Sequence, residues 1–169
     1  MWLGRLWRLV CGSLLVVALA PAVGCASHPL LQRPPVAAPA SSTTWLKAQD
    51  GTRLFARLHA TTTRPKGWVW LLEGTGGATR DDDDELISAL QEVGFGVAQF
   101  HPRGSGYSDG PRGDVDDFQK VHDDCDRFAA FLAEHVQGAP VFLLGQSAGG
   151  AMALDVMRRA PAAFAGVVL

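Results

Sequence analysis

The sequence predicts an α/β domain: a doubly wound, mostly parallel sheet with helices on both faces. Three observations predict it. Short apolar runs, "WVWLL", "VAQF", "VFLL" and "GVVL", alternate with stretches of helical periodicity, the order that builds crossover units. The first of these runs is apolar on both faces, as a strand covered from both sides must be. Glycine-rich segments, "EGTGGATR", "HPRGSGYSDGPRG" and "GQSAGG", directly follow three strands, at the carboxyl edge where such sheets bind ligands.

Three segments are expected along the chain. In residues 1–24, Arg5 and Arg8 precede an apolar run, Leu9 to Ala20, of twelve residues ending at Pro21. A spanning helix needs about 20 residues, so the run has signal-peptide proportions instead. The small residues of "PAVG" then lead directly into Cys25. Residues 25–42, rich in Pro, Ala and Ser without periodicity, suit an extended tether. The remainder, 43–169, is the folded domain.

Within the domain, two alternating runs in "TTWLKAQDGTRLFARLHA" flank Asp50 and Gly51. That dipeptide supplies the positive backbone angles of a tight hairpin turn. After the strand "WVWLL", Asp81 to Asp84 open a helix with Leu86, Ile87, Leu90 and Val93 on one face and Gly94 as its stop. The acidic run is explained by the helix dipole, which favours negative charge in a first turn, so no metal is expected there. The loop after "VAQF" leads to a helix on which Phe118, Val121, Cys125, Phe128 and Leu132 recur at core spacing. Cys125 on that stripe reads as a small buried apolar group. "VFLL" is followed by a helix over 147–160, closed by Pro161, and "GVVL" opens a last strand.

Composition narrows function mainly by exclusion. A net charge of −2 with scattered Lys and Arg gives no basic face for nucleic acid. The loop "GTGGAT" lacks the last glycine of a dinucleotide fingerprint, having Thr79 there, and no phosphate-loop Lys follows. No cofactor or metal is expected. With Cys11 leaving in the leader and Cys25 at the tether's start, Cys125 has no internal disulfide partner.

The segment "VFLLGQSAGGAM" places Ser147 between an apolar strand and a helix. A strained corner of that kind holds a hydroxyl clear of the sheet, and only small neighbours, here Gly145, Gly149 and Gly150, let the helix pack so closely. The succession "EGTGG", "HPRGSGYSDGPRG", "GQSAGG" resembles the α/β-hydrolase superfamily. Within it the chain is similar to the monoacylglycerol lipase and lysophospholipase group, also labelled serine aminopeptidase S33 or hydrolase 4, over roughly residues 52–169. The most specific stretch is "RGSGYSDGPRG", Arg103 to Gly113. The resemblance implies a serine hydrolase acting on a small carboxylic or lipid ester. Ser147 would be its nucleophile, and the backbone N–H groups of Thr75 and Ala148 its oxyanion hole. "PAVGC" likewise resembles a bacterial lipobox, which implies lipid attachment at Cys25. Ala26 after it resembles lipoproteins sent to the outer membrane. The alternative is an ordinary secretory signal and a secreted protein.

Two positions depart from the group's pattern, Glu73 standing where it usually has His and His101 where it usually has Asp. A carboxylate aimed into an oxyanion hole opposes developing negative charge, so Glu73 is expected to turn away or be paired. The triad of this fold runs Ser, then Asp or Glu, then His. After Ser147 the chain holds one carboxylate, Asp155, and no histidine. Of the earlier histidines only His101 is expected at the active edge, two strands from the nucleophile's, or about 10 Å away. The expectation is therefore the N-terminal part of an α/β-hydrolase, lacking the last strands and lid and with the triad acid and histidine elsewhere. The competing reading is a non-catalytic, truncated surface lipoprotein.

Overall fold

The structure, a computed structural model, describes residues 43–74 and 83–169. The leader, the tether with Cys25, and most of the first glycine loop, Thr75 included, lie outside the described residues. Six strands form one sheet: β1 (Thr43–Lys47), β2 (Arg53–His59), β3 (Gly67–Leu72), β4 (Phe95–Phe100), β5 (Val141–Gly145) and β6 (Gly166–Val168). Their spatial order is β1-β2-β4-β3-β5-β6. β3 to β6 run parallel, while β2 pairs antiparallel with both β1 and β4. The expected mostly parallel α/β sheet is therefore present.

β3 lies between β4 and β5, and all six of its residues are buried. Its two faces feed two cores, because successive side chains point to opposite sides. On one face Trp70 and Leu72 pack with Phe100, Phe128, Leu132 and Leu143 beneath α2 (Phe118–His135) and α3 (Ala148–Arg159). On the other, Val69, Leu71 and Val97 meet Ile87 of α1 (Asp83–Glu92). Helices on both faces make the sheet doubly wound. Among the described residues no helix is long and apolar enough to cross a membrane.

Several local expectations need correction. The hairpin turn is not a two-residue one: Lys47 pairs with Arg53, the Gly51 amide donates to the Ala48 carbonyl at 3.0 Å, and of Asp50 and Gly51 only Gly51 has positive φ. That is a type I turn closed by a glycine bulge, in which Asp50 instead accepts the Thr52 amide. On α1, Ile87 is buried, but Leu86 and Val93 are exposed. The covered stripe is narrower than four residues because Leu86 sits a full 100° round from Ile87 and Val93 lies beyond the last turn. Phe118 is 71% exposed, since the first turn of α2 is not covered by the core that buries Val121, Cys125, Phe128 and Leu132. Ser147 precedes the last helix instead of opening it, and Pro161 starts a short 3-10 turn.

Asp124 belongs to the buried stripe of α2, at 1% exposure. It survives there because Arg103, from the loop after β4, grips it with two parallel bonds, Nε to Oδ2 at 2.7 Å and Nη2 to Oδ1 at 2.8 Å. The same guanidinium reaches Asp50 of the hairpin at 2.6 Å, and these carboxylates hold its pKa above the usual arginine range. One cation thus joins hairpin, loop and helix. Removing one partner of a buried pair strands the other charge. Asp124→Ala is therefore expected to lower stability by about 3 kcal/mol in urea unfolding, and equal midpoints for the two proteins would contradict this account.

Candidate active site

The site is set by where β3 and β5 end. Leu72 of β3 stands beside Gly145 of β5, and the chain leaving β5 must turn at once into α3. The Gln146 amide donates to the Leu72 carbonyl at 3.0 Å, and the Gly149 amide to the Gln146 carbonyl at 2.8 Å. Between them Ser147 adopts φ 54°, ψ −120°. Those angles and the Gln146–Gly149 bond describe a type II′ corner with a non-glycine residue where glycine is preferred. Such a conformation stores on the order of 1–3 kcal/mol. What it achieves is exposure: Ser147 stands open to solvent, and among the described residues its hydroxyl makes no hydrogen bond, including with its own helix.

Three glycines were expected to permit this packing, and two do. A Cβ on Gly149 would lie 1.8 Å from the Leu72 carbonyl oxygen, and one on Gly145 would lie 2.6 Å from Gly150 Cα. Gly150 is different, because its nearest atoms would be 3.6 Å away, an ordinary contact. The two obligatory positions stand where strand ends and helix start meet; the third has room for a side chain.

Gly74, the last described residue after β3, lies against the serine: a Cβ there would be 3.1 Å from Ser147 Cβ and 3.7 Å from its Oγ. The first glycine loop therefore starts at the side of Ser147. Ala148, exposed, opens α3, and its amide is one of the first-turn donors left without an intrahelical acceptor. The second expected oxyanion donor, Thr75, lies outside the described residues.

The Glu73 side chain extends toward His101. Its carboxylate is 10% exposed, with Oε1 4.0 Å from His101 Nε2. His101, at the end of β4, is 2% exposed, and its Nδ1 accepts the Tyr107 amide at 3.0 Å. The ring is stacked between Phe55 (4.4 Å, 24°) and Tyr107 (5.3 Å, 27°). Burial, then the charges of Arg57 and Arg112, push its pKa down to about 3. Its strand is two places from that of Ser147. Its one unprotonated nitrogen is occupied, which removes it as a proton acceptor for the serine.

The other residues weighed for the triad are engaged elsewhere. Asp155 bonds Arg158 and Arg159 of its own helix and lies 3.4 Å from His122 on α2. His135 bonds the Phe131 carbonyl and His59 bonds Gln99. Cys125 is inert by burial, its thiol pushed up to about 12. A cleft of about 460 Å³ between the hairpin and α2, lined by Lys47, Asp50, Arg103 and Asp124, does not reach Ser147. Its charged lining is largely spent on the Arg103 pairs, so volume alone does not mark the chemistry here.

The loop after β4 contributes a stiff rim that sequence reading saw only as glycine-rich. The Ser108 hydroxyl, fully buried, donates to the His101 carbonyl and accepts the Phe55 amide at 2.8 Å. Arg112 donates to the carbonyls of Gly106 and Ser108. One signal was available: Asp124 interrupts an otherwise apolar stripe three residues after Val121 and four before Phe128, and a buried acid needs a cation.

With this geometry in view, the resemblances can be placed. Residues 63–169 match the family described as serine aminopeptidase, S33. The monoglyceride lipase of Homo sapiens is 33% identical over 138 residues, covering 82% of this chain and 45% of that protein. A thermostable carboxyl esterase from Bacillus coagulans superposes with a TM-score of 0.66 at 21% identity, covering 74% of this chain and 42% of the esterase. A monoacylglycerol lipase from Paleococcus ferrophilus gives 0.55 at 30% identity, covering 68% and 41%. The fold is thus part of an α/β-hydrolase, and the chain spans less than half the length of these relatives.

The strained corner has a measurable signature. Ser147→Gly relieves the positive φ, while Ser147→Ala keeps it. Allowing for the greater backbone freedom that glycine loses on folding, Ser147→Gly is expected to be about 1 kcal/mol more stable than Ser147→Ala in urea titrations. The reverse order would mean that the corner is unstrained.

Proposed function

The chain belongs to the serine aminopeptidase S33 family, and from that premise we propose that it carries the nucleophile of a serine esterase or lipase. The substrates are carboxylic esters of small lipids, acylglycerols among them. The observation that carries this reading is the Ser147 hydroxyl, raised on a II′ corner between β5 and α3 with Gly74 at its side. The monoglyceride and monoacylglycerol lipases among the relatives support the substrate class.

In this mechanism Ser147 Oγ attacks the ester carbonyl carbon while its proton passes to a histidine base. The carbonyl oxygen gains charge facing the Ala148 amide and, we propose, that of Thr75. Fixed donors of this kind each contribute about 3 kcal/mol to the transition state. The tetrahedral intermediate expels the alcohol, which takes the proton, and leaves an acyl group on Ser147. Water then attacks the ester carbon, its proton returning through the same base, and the acid departs with the serine restored. None of the described histidines is placed for that role, so we propose that the base and its acidic partner lie outside the described residues.

A fluorophosphonate probe is expected to label the complete gene product and to spare Ser147→Ala, with monoacylglycerol hydrolysis lost in parallel. Labelling that persists in the alanine variant would refute the assignment. For residues 1–42 we propose export and lipid attachment at Cys25, supported by the apolar leader and "PAVGC". Radiolabelled palmitate is expected to enter the wild-type protein in bacteria and not Cys25→Ser; equal incorporation would leave only an ordinary secretory signal.

A further inference from the structure

The loop after β4 is fastened from within by a ring that can lose its grip. His101 follows the strand directly, and the chain then coils back: the Ser105 amide donates to the Pro102 carbonyl at 3.1 Å, and the Ser108 amide to the Ser105 carbonyl at 3.0 Å. Inside this coil the Tyr107 amide finds its acceptor in a side chain, His101 Nδ1, at 3.0 Å. The rings of Phe55 and Tyr107 also pack on the imidazole, with centroids 4.4 Å and 5.3 Å away. One residue is thus both acceptor and stacking partner for the middle of the loop. An imidazole nitrogen accepts only while it carries no proton, so the ring is neutral with its hydrogen on Nε2.

We propose that His101 is an acid-sensitive latch: its neutral ring holds the Tyr107 amide and keeps the loop after β4 closed, and a proton on Nδ1 releases both. Protonation in place would set two N–H groups against each other, so proton uptake and loop opening are one event. Among the described residues, the titratable and charged groups facing the ring are Arg57 on β2, Tyr107 and Arg112 on the loop itself, and Glu73 after β3, whose Oε1 lies 4.0 Å from Nε2. Burial, then the two guanidinium charges, lower the pKa of the closed state from the ordinary 6.5 to about 3. In the open loop the ring meets water and regains its ordinary value. The latch is therefore at full strength above pH 6.5 and weakens as the pH falls toward 3, each unit in between favouring opening about tenfold. The loop stands at the carboxyl edge shared with Ser147, since β3, β4 and β5 run parallel, but the inference does not depend on what that serine does.

Tyr107 is the only tyrosine of the chain, so 15N-tyrosine labels one amide, the donor to Nδ1. Its protection against hydrogen exchange, taken relative to the free-peptide rate at each pH, is expected to fall about twentyfold between pH 7 and pH 5. A fall of less than about threefold would overturn the latch. His101→Asn offers an amide oxygen in place of Nδ1 and does not titrate, so its protection should stay within about twofold over the same range. A fall as large as the wild type's would assign the acid response to another group and overturn the proposal. His101→Phe keeps a ring against Phe55 and Tyr107 but has no acceptor. It should lose about tenfold in protection at pH 7, and wild-type protection there would mean that Nδ1 does not hold the amide.

Uniform 15N labelling then separates the loop from the fold. Tyr107 is expected to exchange faster than Leu143, within β5, at both pH values, because the loop opens locally. Equal protection would mean that the whole domain must open first, and would overturn a latch confined to the loop. Should either variant fail to fold, 15N-histidine in the unmutated protein decides. A proton on Nε2 of His101 and none on Nδ1 at pH 7 is the expected tautomer; a proton on Nδ1 would overturn the proposal.

Discussion

The beginning of α3 comes so near the end of β3 that the Ser147 corner exists only because glycine stands at the contact. A methyl group on Gly149 would occupy the same space as the Leu72 carbonyl. Without side chains at Gly145 and Gly149 the helix can start within one turn of the strand, and the register Leu72 to Gly145 decides where. The resulting corner is short, so the residue at its apex must take the II′ conformation. Strain there is a consequence of packing below, and exposure of the hydroxyl is a consequence of the strain. Sheet register, helix start and the exposed serine are one linked geometry.

Around this corner the loop after β4 acts as a rim whose stiffness comes from a few specific bonds. The exposed pair between Arg53 and Asp109 contributes little, since water screens it. The Arg103–Asp124 pair is different in kind. Both members are largely shielded, so neither can be removed without leaving a charge in a poorly solvated place. A third acid, Asp50, has its carboxyl held well below the usual range by the same guanidinium. The opening hairpin is thereby tied to the loop that precedes α2. Glycines let that loop bend, and Arg103, Ser108 and Arg112 decide which bend it keeps.

Much of this was legible from patterns of local origin. The run apolar on both faces marked β3 as a buried strand, and the strand–GxSxG–helix order put Ser147 at the corner between β5 and α3. What escaped was set by partners distant in sequence. Periodicity placed Phe118 in the core, but whether a helix's first turn is covered depends on how far the opposing layer extends. It passed over Asp124 on the same stripe, because the cation that makes its burial tolerable lies 21 residues earlier. The motif grouped Gly150 with Gly149, although a Cβ would overlap a strand end at Gly149 and make only an ordinary contact at Gly150. The hairpin dipeptide was right in place and wrong in type, because the bulge depends on the pairing of Lys47 with Arg53.

The same distinction governs the electrostatics beneath the site. A glutamate one residue from Gly74 would, taken alone, weaken any oxyanion formed there, since like charges repel strongly where water is scarce. The fold answers with the composition of one sheet face. Phe55, Arg57 and Gln99 alternate with residues that enter the other core, and the Arg57 guanidinium lies over the Phe55 ring at 5.3 Å. That ring in turn stacks on His101. Arg112 approaches from the rim, its positive charge felt at the same imidazole. Both positive charges therefore act on the His101 ring and disfavour its protonation.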